Sequence, residues 1–275
     1  MKFSLTTFSI VTFYIITAIA CNNSLSNKSD KAEVTFSQHN INKHVYRAKN
    51  TQNELIIDIN YLIPENIKED LKNMIDSLTY KTIAKSLNIT DNKNRDTIDS
   101  EDKLNNLINA YVATFCNGEP LEKKQKWKLI VKEKIVYQNE DIISFQFDSY
   151  QLSGNAKTIP ITLYINLDKN KSQILSLKNL TRDNDAIDAF NKIGELEFRR
   201  KYKIHPNESF TNTQFMFFDN NTFRLPENFT FTKNGILFIY NVYEIAPYSS
   251  GKVSFTIPYN TISDILNLQS VKPGS

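Results

Sequence analysis

The chain has 275 residues, which suits one large domain or two small ones, and its 40% hydrophobic and 23% charged residues are typical of a globular protein. The formal net charge of +3 is close to neutral for this length, and no run of lysine and arginine is dense enough to track phosphates. Composition therefore argues against a nucleic-acid-binding protein.

The first residues resemble the leader of a bacterial lipoprotein. An apolar stretch from Phe3 to Ala20 has the length of a signal-peptide hydrophobic region and is short for a membrane span. It ends in Ala18-Ile19-Ala20-Cys21, which resembles a lipobox, where a cysteine takes a diacylglycerol before cleavage. We expect residues 1–20 to be a signal peptide and Cys21 to be lipidated. The mature protein would then be attached to a bacterial membrane in the cell envelope, facing the periplasm or the surface. An ordinary signal peptide or an uncleaved anchor is the alternative.

The chain contains two cysteines, Cys21 and Cys116. Lipidation of Cys21 leaves a single thiol, so we expect no internal disulfide. Cys116 ends the apolar face of a predicted helix, and we expect it to be a small buried hydrophobic side chain. Residues 21–33 are rich in Asn, Ser and Lys, which is typical of a flexible tether between a lipid and a folded domain.

Hydrophobic periodicity predicts strands and helices in the region that follows. Strands are predicted over 34–46 and 54–63, where apolar and polar residues alternate. Helical spacing predicts a helix over 65–87 and a second helix that begins after Ser100 and ends at Asn117-Gly118. The apolar positions of these helices are Ile67, Leu71, Met74, Ile75 and Leu78 in the first, and Leu104, Leu107, Ile108, Tyr111, Val112 and Phe115 in the second.

After Pro120 the apolar period changes to two, which predicts a meander of antiparallel strands. A third helix is predicted over 183–203, with acidic residues at its start and basic residues at its end, as the helix dipole favours. Gln214–Phe218 is predicted to be a short strand. The alternating positions of the meander are Trp127, Leu129, Val131, Ile143, Phe145, Phe147, Ile161, Leu163, Ile165 and Leu167.

The last part of the chain predicts a hairpin followed by a third strand. Phe229 and Phe231 alternate with threonines, and Lys233-Asn234-Gly235 is a turn signal because Asn and Gly tolerate a positive φ. Val253, Phe255 and Ile257 form the next alternating run. Together the elements predict an α+β fold, with an antiparallel β-sheet, helices packed on one face and two sequential subdomains.

The segments 243–251 and 255–259 carry a resemblance to a known family. They read Tyr-Glu-Ile-Ala-Pro-Tyr-Ser-Ser-Gly and Phe-Thr-Ile-Pro-Tyr, and they resemble the C-terminal signature of RsiV-type extracytoplasmic domains, the lysozyme-receptor part of membrane anti-sigma factors. The half before it resembles the PdaC-type domain that accompanies this domain in many bacterial lipoproteins. The resemblance implies an N-terminal domain over 34–150 and a C-terminal domain over 151–268. It also implies a lysozyme-like protein or peptidoglycan as the ligand.

One loop departs from the family pattern. Where family members often have Tyr-Thr-Gly-Gly-Ala-His-Gly, this chain has Leu-Ser-Gly-Asn-Ala-Lys-Thr at 152–158, with Lys157 in the place of the histidine. A role that depends on that histidine is therefore not expected here. With only Met1 and Lys2 before the apolar stretch and no deacetylase domain, we also expect neither sigma-factor sequestration nor glycan deacetylation.

The sequence carries no recognised catalytic, phosphate-binding or metal motif, so we expect no catalytic residue, metal or cofactor. His39, His44 and His205 are dispersed, and surface histidines are the preferred interpretation. The acidic residues of 183–188 resemble the start of a calcium loop but lack its turn glycine and closing glutamate. A charge cluster at a helix N-terminus is the preferred interpretation.

Two loops contain candidate ligand-binding residues: Tyr243, Glu244 and Tyr248 in one, and Tyr150, Asn155 and Lys157 in the other. Flat aromatic rings can stack on a sugar or a protein surface, and a carboxylate can pair with a basic ligand. The alternative is that the tyrosines pack beneath a loop shaped by Pro247 and Gly251, and that residues 150–158 only connect two strands. We expect the two loops to lie on the same side of the sheet.

These observations favour a lipid-anchored envelope protein that is not an enzyme and that binds a lysozyme-like protein or a cell-wall glycan. One alternative is a cell-wall glycan hydrolase that pairs Glu244 with a second carboxylate across a cleft. The other is a purely structural envelope lipoprotein.

Overall fold

Two β-sheets, each with its own hydrophobic core, form the frame of the protein. The computed structural model describes residues 33–47, 50–87, 92–117, 126–153, 159–181 and 183–267. Within them, a six-stranded sheet has the order β1-β2-β3-β4-β5-β6 and a three-stranded sheet has the order β7-β8-β9. The predicted signal peptide, Cys21 and the tether up to residue 32 lie outside the described residues.

The observed elements follow the predicted order closely. The strands are β1 Thr35–Arg47, β2 Asn50–Glu65, β3 Lys126–Gln138, β4 Ile142–Ser153, β5 Ile161–Asp168, β6 Gln173–Ile174, β7 Phe229–Phe231, β8 Gly235–Tyr240 and β9 Val253–Pro258. The helices are α1 Glu69–Ser86, α2 Glu101–Asn117, α3 Leu177–Leu180, α4 Asn184–Tyr202 and α5 Tyr259–Ile262. In the described part of the chain, no helix is long and apolar enough to span a bilayer.

The large sheet is antiparallel except at one junction, where β2 pairs with β3 in parallel. The sequence pattern predicted an antiparallel sheet, and this pairing is the exception. Its cause is the connection: the chain leaves β2, runs through α1 and α2, and begins β3 in the same direction, as a crossover requires. The α+β prediction is otherwise confirmed.

The first core lies between α1 and α2 and one face of the large sheet. Leu55, Ile57 and Ile59 of β2 are almost fully buried, while the residues between them are only partly buried. The period of two therefore turns one row of each strand toward the helices, as predicted. The helix residues fully buried against this row are Ile83, Leu104, Ile108 and Phe115. Cys116, by contrast, is exposed, because the helix turns it away from the face that buries Phe115; the prediction of a buried thiol was wrong.

The second core is an aromatic cluster centred on Phe198 of α4. Its ring lies within 4.9–6.2 Å of seven other aromatic rings, centroid to centroid. These rings belong to Tyr202, Phe210, Phe215, Phe218, Phe223, Tyr240 and Phe255. The predicted strand over Gln214–Phe218 is a turn instead, because Phe215 and Phe218, three residues apart, both insert into this core.

The hairpin of β7 and β8 forms where it was predicted, but for a different local reason. Neither Asn234 nor Gly235 adopts a positive φ. Gly235 is needed because β9 runs close beside it: a Cβ at this position would lie 2.1 Å from the carbonyl oxygen of Ile257. The glycine therefore permits the close approach of two strands.

Asparagine side chains join the two sheets. On the outer edge of β5, the backbone N–H of Tyr164 donates to Oδ1 of Asn228 at 2.8 Å, and Nδ2 of Asn228 donates to the carbonyl of Thr162 at 2.7 Å. Asn241 repeats the arrangement on the N–H and carbonyl of Thr162 at 2.8 and 3.1 Å. Asn166 of β5 reaches back to the carbonyl of Phe229 at 2.8 Å. The large sheet thus continues past residue 150 and is bonded to the small sheet, while the predicted division into 34–150 and 151–268 stays a prediction.

Replacing Asn228 with alanine should lower the free energy of unfolding by about 1–3 kcal/mol, because it removes the acceptor of the Tyr164 N–H and one of the two side-chain amides that donate to the carbonyl of Thr162. Urea denaturation measures the effect. Asn207→Ala, at an exposed loop position, is the control and should change stability by less than about 0.5 kcal/mol. Equal stability of the two variants would contradict the role given to Asn228.

Two neighbouring carboxyl groups, those of Glu133 and Asp76, are buried at the first core. Glu133 of β3 is buried; it accepts hydrogen bonds from the N–H of Leu62 at 2.9 Å and from the hydroxyl of Thr79 at 3.0 Å. Burial raises the pKa of Glu133 to about 7; these two bonds oppose the shift, and the nearby Asp76 adds to it. Oδ1 of Asp76 is itself buried without a hydrogen-bond partner, while its Oδ2 pairs with Lys72 at 2.5 Å.

The raised pKa of Glu133 makes stability depend on pH. The folded state holds a proton on this carboxyl up to about pH 7, whereas the unfolded chain releases it near the ordinary value of 4.5, so stability falls as the pH rises through that window. The loss should amount to roughly 3 kcal/mol relative to Glu133→Gln, which carries no titratable group there. Urea titrations at several pH values measure it. Glu140→Gln, in an exposed turn, should retain the wild-type profile, and a wild-type profile in Glu133→Gln would refute the assignment.

Candidate functional site

An open groove lies beside the aromatic core. It has a volume of about 990 Å³ and is enclosed by α4, by the segment 217–228 and by the turn that follows β8. Its lining residues are Asp188, Asn191, Phe217, Phe218, Asp219, Asn220, Thr222, Phe223, Arg224, Leu225, Pro226, Glu227, Asn228, Tyr240, Glu244 and Ile245. Glu244, which the sequence analysis selected, is therefore part of a groove wall.

Hydrogen bonds hold the three walls of the groove together. Asn191 of α4 accepts from the N–H of Leu225 at 3.1 Å, and the hydroxyl of Tyr240 donates to the carbonyl of Arg224 at 2.5 Å. The N–H of Phe217 donates to the carbonyl of Ile245 at 3.2 Å. Because each wall is tied to a neighbour, the groove is a fixed feature of the fold.

The groove is acidic. Four carboxylates line it, belonging to Asp188, Asp219, Glu227 and Glu244, against one guanidinium, that of Arg224. Arg224 pairs with Asp219 at 3.2 Å, with both side chains mostly exposed. The other three carboxylates have no ion pair with any described residue, so the groove has an excess of negative charge in a chain whose formal net charge is +3.

Three exposed aromatic rings lie on the groove wall or in the loop after β8 that carries Glu244. Phe217, on the groove wall, is 44% exposed, and Tyr243 and Tyr248 are 46% and 50% exposed. The two tyrosine rings contact each other with centroids 5.6 Å apart and planes tilted by 45°. The alternative, in which both tyrosines pack beneath the loop, is therefore wrong. Both remain available to a ligand.

The backbone next to the groove is strained. Tyr243 has a φ of 73°, a region that bulky side chains rarely adopt, whereas Asn220 and Asn221, with φ values of 52° and 57°, are residues that tolerate it. Such strain persists only where the surrounding structure imposes it, and it is concentrated at functional sites. Tyr243 therefore combines a strained backbone with an exposed aromatic ring.

The other predicted site residues are placed elsewhere. Tyr150 lies on β4 of the large sheet, paired with Ile130 of β3. Asn155 and Lys157 lie outside the described residues, so whether the two predicted loops lie on the same side of the sheet stays a prediction. Among the residues the structure describes, no three His, Cys, Asp or Glu side chains are grouped to hold a metal ion. Asp183 acts as a helix cap, accepting from the N–H of Ala186 at 2.8 Å.

Sequence reasoning missed three carboxylates of the groove, those of Asp188, Asp219 and Glu227. Asp188 had been assigned to the charge cluster at the start of α4, and the other two lie in a segment without regular period. The signal that could have indicated them is the run of aromatic residues between 210 and 223, which packs against Phe198 of α4 and brings the polar residues of that segment close to α4.

Two substitutions at Tyr243 test the strained backbone. Glycine normally destabilises a protein relative to alanine because it loses more chain entropy on folding, but at a positive φ the order inverts. Tyr243→Gly should therefore be more stable than Tyr243→Ala by about 1 kcal/mol in urea denaturation. At Tyr248, which has a negative φ, Tyr248→Gly should be less stable than Tyr248→Ala. The same order at both positions would contradict the strain.

Comparison with known proteins finds one matching family model and similar solved structures. Residues 178–260 match the model of a family described as "Protein of unknown function (DUF3298)". A member of that family from Bacteroides fragilis NCTC 9343, solved by crystallography, is similar at a TM-score of 0.66 and 18% identity, over 86% of this chain and 95% of the other. A DUF3298 family protein from Pseudomonas aeruginosa PAO1 is similar at a TM-score of 0.60 and 18% identity, over 88% and 98%.

A search of curated proteins finds no match. The lining residues of the acidic groove all lie within the matched segment 178–260. The chain thus shares its fold with crystal structures of the DUF3298 family, and the segment that builds its groove has that family's sequence pattern.

Proposed function

We propose that the protein is a lipid-anchored protein of the bacterial envelope whose groove binds a basic protein of the lysozyme kind, without catalysing a reaction. The observation that carries this proposal is the acidic groove with exposed aromatic rings beside it. The lipobox at Cys21 and the resemblance of 243–259 to RsiV-type receptor domains support the location and the type of ligand.

The composition of the site suits a protein ligand. Aromatic side chains are enriched at protein interfaces, and tyrosine is among the residues that most often dominate the binding energy. Phe217, Tyr243 and Tyr248 are already exposed. Carboxylates around such rings attract a positively charged partner and repel an acidic one, which sets the association rate and the specificity more than the final affinity. Lysozymes are basic proteins, so the charges are complementary.

Removing two groove charges should weaken lysozyme binding. We expect the full-length double variant Glu227→Gln and Glu244→Gln to bind lysozyme roughly tenfold more weakly in isothermal titration calorimetry at low salt, because each charge contributes about 0.5–1 kcal/mol to the attraction. Added salt should reduce the difference by screening the charges. Glutamine retains the size and shape of glutamate, while it loses the charge and exchanges one acceptor oxygen for an NH2 donor.

The matched control is the double variant Glu65→Gln and Glu140→Gln, which removes the same charge at exposed positions outside the groove. It should bind as the wild type does. Absence of lysozyme binding by the wild-type protein would refute the proposal, and binding of peptidoglycan fragments in its place would identify a glycan ligand.

A second candidate function, glycan hydrolysis, has one observation in its favour. Glu244 shares the groove with the carboxylates of Asp188, Asp219 and Glu227, and two carboxylates across a cleft are what such an enzyme needs. Peptidoglycan hydrolysis that is lost in Glu244→Gln would establish it over the binding function.

A further inference from the structure

Strand β3 carries four lysines on the face of the large sheet that the helices leave open. Strand alternation places Leu129, Val131 and Glu133 in the helix-covered core and turns the residues between them the other way. Those outward residues are Lys126, Lys128, Ile130, Lys132 and Lys134, which we call the lysine face. All five side chains are partly or fully exposed.

Apolar side chains lie between the lysines. The strand register places Ile56 and Leu152 on either side of Lys128, and it places Tyr150 beside Ile130. Each of these is only partly buried. The face therefore mixes cationic, aliphatic and tyrosyl groups, and it includes Tyr150, which the sequence analysis had selected as a candidate ligand-binding residue.

The positive charges of the lysine face exceed their counter-charges. Lys126 pairs with Glu54 at 2.9 Å, and Asp148 lies 3.8 Å from Lys252. Asp58 is the remaining carboxylate among the register neighbours of β3. The lysines that make no ion pair with any described residue are Lys128, Lys132 and Lys134. Three free ammonium groups thus face a single carboxylate.

We propose that the lysine face docks on an anionic lipid surface. Each lysine near such a surface strengthens binding roughly fivefold, and aliphatic and tyrosyl side chains between the lysines suit the boundary between headgroups and acyl chains. Four lysines on one strand are too few to follow a nucleic acid, which needs a longer array of phosphate contacts. A face that mixes lysines with aliphatic and tyrosyl side chains matches a membrane surface better than a nucleic acid.

The inference rests on the proposed function in one respect, since a lipid at Cys21 would keep the sheet close to the membrane. Between Cys21 and Thr35, the first residue of β1, the chain can extend to at most about 50 Å. Strand β1 belongs to the same sheet as β3. An anchored protein would therefore hold its lysine face within reach of the headgroups.

The test uses the chain from Ala32 to Ser275, which forms one compact unit and contains every described element. It is sedimented at low salt with vesicles of phosphatidylcholine alone or with added phosphatidylglycerol. We expect binding only to the anionic vesicles. The triple variant of Lys128, Lys132 and Lys134 to Gln should lower the partition coefficient on the order of 100-fold.

Two controls separate charge from folding. Changing the same three lysines to arginine keeps the charge and should retain binding. Changing three exposed lysines elsewhere, Lys178, Lys192 and Lys233, to Gln removes the same charge and should also retain it. Circular dichroism checks that each variant is folded.

Equal binding to neutral and anionic vesicles, equal loss in both glutamine triples, or binding to soluble polyphosphate but not to vesicles would each overturn the inference. The proposed anchor is tested separately by mass spectrometry of the mature protein. An unacylated Cys21 would refute the anchor without changing the vesicle result, because the sedimented chain lacks Cys21.

Discussion

The outer edge of β5 is the point on which the arrangement of the two sheets depends. An unpaired strand edge presents backbone donors and acceptors that would otherwise pair with another chain. Here the side-chain amides of Asn228 and Asn241 satisfy that edge, each offering an acceptor and a donor in the manner of a peptide group. Because both asparagines flank strands of the small sheet, closing the edge also fixes where that sheet lies.

The groove follows from this junction and from the aromatic core behind it. Phe198 draws the segment between Phe210 and Phe223 onto α4, which leaves the polar residues of that segment on the surface. Asn228, which bonds to β5, also lines the groove. The same contacts that bury the rings therefore set the spacing of the carboxylates. The acidic surface is thus a consequence of how the aromatic core packs.

Local patterns in the sequence were enough to predict most elements, since alternation around Phe229 or helical spacing around Ile108 depends on neighbours a few residues away. They were not enough for features that depend on distant contacts. The parallel pairing of β2 and β3 follows from the crossover through α1 and α2, and the turn at Phe215 follows from packing against Phe198. The exposure of Cys116 follows from its position beside the buried face of α2. A helix pattern is least reliable at the border of its apolar face, where Cys116 sits.

The candidate site shows the same division. Glu244 and its flanking tyrosines were found because they are contiguous and carry a motif. The remaining carboxylates come from α4 and from an irregular segment, and only the fold brings them into one groove. In contrast, the lysines of β3 occupy alternate positions that are visible in the sequence. Whether they face solvent can be decided only once the fold shows which face of the sheet the helices cover.

The crossover between β2 and β3 has a consequence for how the chain assembles. Hairpins such as β3–β4 and β7–β8 join residues close in sequence, whereas the pairing of Leu55 with Trp127 closes a loop of about 70 residues. Closing a loop of that length lowers the entropy of the chain before the native contacts can stabilise it. Topologies of this kind therefore fold slowly. We therefore expect the pairing of β2 with β3 to form later than the hairpins, and until α1 and α2 pack, one apolar face of the sheet is exposed to solvent.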